Sequence, residues 1–167
     1  MSSFQRIQPQ VHPFDAQIDI PLKSLELKNG ARVFMIEAGT EDVIRIECVF
    51  RAGIIKEHLP LLASSANMML TEGSERYTSE ELNALLDFYG IFLNLQAERD
   101  TAGLTAYLLS RYFDKSLELI AEVLFCPVFP AKELEKLMKK RLNWFRINRE
   151  KVQNIASDRF FQSVFGI

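Results

Sequence analysis

The sequence predicts an α+β fold: a two-layer sandwich in which a mostly antiparallel sheet carries helices packed on one face. Three observations lead there. Period-two apolar runs come in neighbouring pairs joined by short turn signals, which suits antiparallel strands. Capped helical patterns alternate with those pairs along the chain, which suits helices packed on one face of the sheet. The 167 residues are 48% hydrophobic and 25% charged, with neither a low-complexity linker nor an internal repeat, so the material suffices for one core. The expected organisation is a polar arm over residues 1–23 and a single domain over 24–167.

The elements follow in order. SLELKNGARVFMIEAG (24–39) holds two short alternating runs around Asn29-Gly30, a two-residue hairpin signal because both residues tolerate positive φ. VIRIECVFRAG (43–53) sets Val43, Arg45, Glu47 and Val49 on one face and Ile44, Ile46, Cys48 and Phe50 on the other, a strand covered on one side. LPLLASSANMML (59–70) reads as a helix started near Pro60 and closed by Gly73, whose lack of Cβ permits a left-handed closing residue. A second helix starts at Thr78 or Ser79 and ends at Gly90. IFLNLQAER (91–99) and TAGLTAYLL (101–109) read as two strands joined around Asp100. Helices are then expected over 114–127 and 130–151, and NIASDRFFQSVFG (154–166) is a last amphipathic run.

Charge and composition exclude several functions. A formal net charge of -2 and a pI near 5.8 give nucleic acid or an anionic membrane no basic surface to hold. The basic string KLMKKR (136–141) is flanked by Glu133 and Glu135 and reads as a solvated helix face. No run approaches the roughly 20 apolar residues of a membrane span, and the N-terminus lacks a signal-peptide core, so the expectation is a cytoplasmic chain. Cys48 and Cys126 lie in apolar contexts without metal-type spacing and read as buried free thiols. His58, beside Glu57, reads as part of a surface turn, and His12 as a solvated residue of the arm. Ser64-Ser65 has no G-x-S-x-G, S-x-x-K or histidine to activate it, so it reads as a small polar stretch that lets a helix approach the sheet. No glycine-rich phosphate loop is present.

The local strings carry more than the element order does. The strand ending in Ala52-Gly53, the helix ending in MMLTEGS, then YTSEEL, LLDFYG, a strand pair, LELIAEVLFCPVFP and a long charged helix together resemble the N-terminal domain of the insulinase and pitrilysin zinc metallopeptidases, from about Ser24 to Gly166. That family includes the mitochondrial processing peptidase subunits. The resemblance implies an H-x-x-E-H on the first helix and a further glutamate on the long one. Histidines four apart on a helix can reach one zinc, the glutamate between them can deprotonate its water, and the remote glutamate completes the ligand set.

Aligned on Met69-Leu70 and Gly73-Ser74, this chain has Ser64, Asn67 and Met68 at the three motif positions. Counted from Phe129-Pro130, the remote ligand falls on Trp144 and its supporting carboxylate on Leu137. A hydroxyl and a thioether are poor zinc ligands and an amide is no base at neutral pH. No catalytic, cofactor or metal residue is therefore expected, and zinc, implied for the family, has no ligands here. The expected state of the site is one filled by packing of Met68, Leu137 and Trp144.

What the resemblance then implies is a catalytically inactive homologue, a non-catalytic subunit that helps enclose or bind unstructured peptides for a homologous active metallopeptidase subunit, or with a second copy of itself. An interaction or assembly module on the same fold, and an active zinc endopeptidase, are the alternatives. Peptide is expected to add to the sheet along 91–96 or 102–108. Domains of the family run longer than this chain, which is expected to break off within its first domain.

Overall fold

The computed structural model describes residues 20–149 and 151–165, so His12 and most of the arm lie outside the described residues. The chain forms two compact units, Met1–Glu41 and Asp42–Ile167.

In the first unit, β1 (Leu22–Glu26) and β2 (Arg32–Ile36) pair antiparallel, with Glu26 opposite Arg32. Strand structure thus begins inside the stretch expected as an arm. The turn is also longer than the two-residue loop expected around Asn29-Gly30. Leu27 N–H donates to the Ala31 carbonyl at 2.8 Å and Gly30 N–H to the Leu27 carbonyl at 2.9 Å, closing a three-residue loop. Only Gly30, at φ +82°, takes the left-handed conformation that such a loop needs at its last position.

The second unit is built on a three-stranded antiparallel sheet in the order β3 (Val43–Phe50), β5 (Ala102–Leu109), β4 (Phe92–Ala97). Ile46 lies opposite Ala106 and Leu93 opposite the same residue from the other side, so the apolar positions of all three strands share a face. Leu104, Ala106 and Leu108 are buried there against Leu82 and Leu86 of α2 (Ser79–Tyr89) and Leu119, Ile120 and Val123 of α3 (Phe113–Phe125). The opposite face carries exposed Val43, Val49, Phe92 and Tyr107. This is the two-layer arrangement the alternation predicts, except that Phe50, placed on the inner face, is exposed at the strand end.

Because β5 is hydrogen-bonded on both sides, the stretch 102–108 offers no free edge for a peptide. Among the described strands of this unit the free edges belong to β3 and β4. The centre of the sheet is tight at Gly103, where an added Cβ would stand 1.9 Å from the Cys48 carbonyl oxygen. Gly53 is constrained in the same way against the Glu98–Thr101 turn, where a Cβ would meet the Asp100 carbonyl carbon at 2.3 Å. This explains the Ala52-Gly53 ending of the strand.

Helix boundaries follow local chemistry. Thr78 Oγ1 accepts from Glu81 N–H and the Glu81 carboxylate accepts from Thr78 N–H, a reciprocal cap that starts α2, and Gly90 at φ +65° ends it. The Thr78 N–H bond, joined by one from the Thr78 hydroxyl at 2.9 Å, holds the Glu81 carboxyl below its ordinary pKa. The first helix is shorter than 59–70. α1 spans Leu62–Met68, and its closing residue Met69 is right-handed, so Gly73, at φ +130°, is not its cap. Gly73 instead lies against the Val128 side chain in the bridge to Thr78. α4 (Ala131–Arg149) and α5 (Val152–Phe165) complete the unit.

Candidate functional site

α1 begins at an unusual residue. Leu61 has φ +70°, a left-handed conformation that costs a branched side chain of this kind about 1–2 kcal/mol. The Glu57 carboxylate offsets it by accepting from Leu61 N–H and Ala63 N–H, each at 3.0 Å, which satisfies backbone donors at the helix start. Glu57 is therefore a cap, and His58 beside it is exposed, in keeping with the surface turn expected there.

From this start α1 runs against β4 and β5. Its residues face in two directions. Asn67, 8% exposed, points to the sheet and donates from Nδ2 to the Gly103 carbonyl at 3.1 Å. Ser64, Ser65 and Met68 turn toward the long helix. There the Arg141 guanidinium donates from Nη2 to Ser64 Oγ at 2.9 Å and from Nη1 to Ser65 Oγ at 3.1 Å, with Met68 Sδ 3.7 Å from Nη1. One cation thus gathers two of the three first-helix positions singled out in the sequence, and the third is turned to the sheet.

The positions on α4 behave differently from the packed arrangement expected. Leu137 is half-buried, but Trp144 is 65% exposed and Met68 50% exposed, so these three side chains do not fill a closed site. Between Leu137 and Trp144, four residues after one and three before the other, stands Arg141, on the same helix face by the 3.6-residue period. The sequence leads one to expect a solvated face over the basic string 136–141. For Lys136 and Lys139 this holds, since they pair with Glu133 and Glu135 at 2.7 Å on the surface, but Arg141 turns inward. Its position between the two mapped residues was the available signal, and reading 136–141 as one block concealed it.

No carboxylate among the described residues pairs with Arg141, and all three of its partners are neutral. Elsewhere, Cys48 and Cys126 are free and half-buried, and burial pushes the Cys48 thiol pKa up, away from nucleophilic or metal-binding use. Among the described residues no group of three or more His, Cys, Asp or Glu gathers in a way that could hold a metal ion. No helix among them is long and apolar enough to cross a membrane.

The architecture and the site define a class: a sheet-and-helix domain in which a short helix lies on the sheet and is tied to a long later helix at one polar point. The sequence matches the insulinase family, peptidase family M16, over residues 46–166, and the chain belongs to that family. Among solved structures it is similar to the crystal structure of a peptidase M16 inactive domain from Pseudomonas fluorescens, with a TM-score of 0.82 and 24% identity over 88% of this chain and 36% of that one. It is also similar to the crystal structure of a protease from Helicobacter pylori, with a TM-score of 0.67 and 20% identity over 77% of this chain and 32% of the other. The chain spans about a third of the length of these solved chains. No curated protein matches it.

The residues present do not fit the zinc that the family implies. Ser64, Ser65 and Met68 already receive a guanidinium, the Asn67 amide is engaged with the sheet, and a dication at that point would face the Arg141 charge at close range.

Proposed function

We propose that this chain is a catalytically inactive member of the insulinase family that binds extended peptides as the non-catalytic partner of a homologous active subunit. The observation that carries the reading is Arg141. A side-chain cation bonded to Ser64, Ser65 and Met68 stands where the family's motif would place a metal, so the two helices are held together without one. In this reading Ser64, Asn67 and Met68 replace the H-x-x-E-H ligands and base, and Leu137 and Trp144 replace the carboxylates of the long helix.

Peptide binding needs none of those groups. An extended segment adds to a sheet edge through backbone hydrogen bonds, and β4, packed against α1 with Phe92, Asn94 and Gln96 pointing outward, is the edge that suits it. The test is coexpression with an active homologue. A stable complex that degrades unstructured peptides faster than the active subunit alone supports the proposal. Absence of coelution together with an unchanged peptidase rate overturns it. A second reading, an assembly module, draws on Leu142, Phe145, Ile147 and Val152 of α4 and α5, large apolar side chains left exposed. It is favoured if a protein partner binds while extended peptides do not.

A further inference from the structure

We propose that Arg141 is a carboxylate-binding residue, and that the peptides this domain holds are recognised there by a carboxylate. The inference rests on the peptide-binding reading above and names the chemistry of its ligand. A guanidinium has five N–H donors. Nη1 directs its two toward Ser65 Oγ and Met68 Sδ, and Nη2 directs one to Ser64 Oγ. Among the described residues nothing accepts from Nε, and Nε–H with a neighbouring Nη N–H is a donor pair that can take a carboxylate in bidentate fashion.

Two further features support a ligand role over a purely structural one. Among the described residues every contact of Arg141 is to a neutral hydroxyl or thioether, and no carboxylate lies within 4 Å of its guanidinium. The guanidinium is also oriented in advance. Ser65 is buried and Ser64 is itself anchored to the Leu61 carbonyl at 3.3 Å, so the side chain is held in place before a ligand arrives and little rotamer freedom remains to be lost on binding. The carboxylate can come from a free C-terminus or from an internal Asp or Glu.

The test uses the full chain and three unstructured peptides of equal length without internal acidic residues except as stated: a free acid, its C-terminal amide, and the amide with one central Glu. Binding at low salt is measured by anisotropy. The parent chain is expected to hold a carboxylate peptide about tenfold more tightly than the neutral amide, an advantage that fades with added salt. Preference for the free acid identifies a terminal carboxylate, and preference for the Glu peptide an internal one. Arg141→Met is expected to abolish the preference, and Arg141→Lys to retain only part of it because the ammonium has no planar fork. If Arg141→Met fails to fold, Ser64→Ala with Ser65→Ala keeps the charge, releases its orientation and should narrow the preference. Equal binding of all three peptides by the parent chain, or a preference untouched by every variant, overturns the inference and leaves the peptide-binding reading standing. No binding of any peptide overturns both.

Discussion

Asn67→Asp is the most direct probe of how α1 sits on the sheet, because it keeps the shape of the side chain and exchanges its amide donor for an ionisable carboxyl. In the parent, Asn67 is 8% exposed and its Nδ2 lies 3.1 Å from the Gly103 carbonyl. An ionised aspartate sets a carboxylate oxygen against that carbonyl. The loss combines a hydrogen bond worth about 1 kcal/mol with the cost of a buried, unpaired charge, and a total of roughly 2–4 kcal/mol at neutral pH is expected. For a chain of this size that corresponds to a Tm lower by roughly 5–15 °C. Protonation restores a donor, so the folded-state pKa of the new carboxyl lies above its unfolded value of about 3.9. The sign follows from linkage: the unfolded state releases its proton first, so stability relative to the parent is nearly recovered at and below the unfolded pKa and is lost as pH rises through the folded pKa. Thermal melts of parent and variant at pH 4 and pH 7 supply the comparison. A Tm difference that is absent at pH 7, or equal at both values, would show that Asn67 does not face the sheet, and the motif register that places Ser64 and Met68 toward Arg141 would fall with it.

Three further outcomes are expected. Replacing Ser64 and Met68 by His and Asn67 and Trp144 by Glu should bind zinc poorly while Arg141 remains, because +2 and +1 charges about 4 Å apart repel by about 2–8 kcal/mol across the plausible dielectric range. Adding Arg141→Gln should raise zinc affinity at least about tenfold by calorimetry, and equal affinities would show that the guanidinium does not occupy that point. Trp144→Glu alone should shift stability by no more than about 0.5 kcal/mol, since the indole is 65% exposed; a large Tm loss, or a parent tryptophan fluorescence shielded from acrylamide, would contradict the exposed placement. Glu122 is buried, with Oε2 3.7 Å from Arg76 Nε and no hydrogen-bond partner for Oε1 among the described residues. Glu122→Met should therefore leave Tm unchanged or raise it, and a loss above about 2 kcal/mol in chemical denaturation would assign that carboxylate an indispensable partner.

The sequence by itself determined the features that depend on near neighbours. Period-two alternation placed Ile44, Ile46 and Cys48 inward on β3, and Thr78 with Glu81 and Gly90 marked both ends of α2, because alternation and capping are set within a few residues. The family strings were legible for the same reason, as was the absence of histidine from the first helix. Where a side chain answers to a partner far along the chain, only the tertiary structure decided. Whether 91–96 or 102–108 forms an edge depends on which strand lies between the others, and β5 lies between. Trp144 and Met68 are apolar residues exposed at a place where local pattern suggests packing, because burial is a property of what approaches them. Arg141 is the sharpest case: its sequence neighbours are basic and solvated, and it is drawn inward by Ser64 and Ser65, more than seventy residues away, whose hydroxyls supply acceptors that nothing adjacent to it provides.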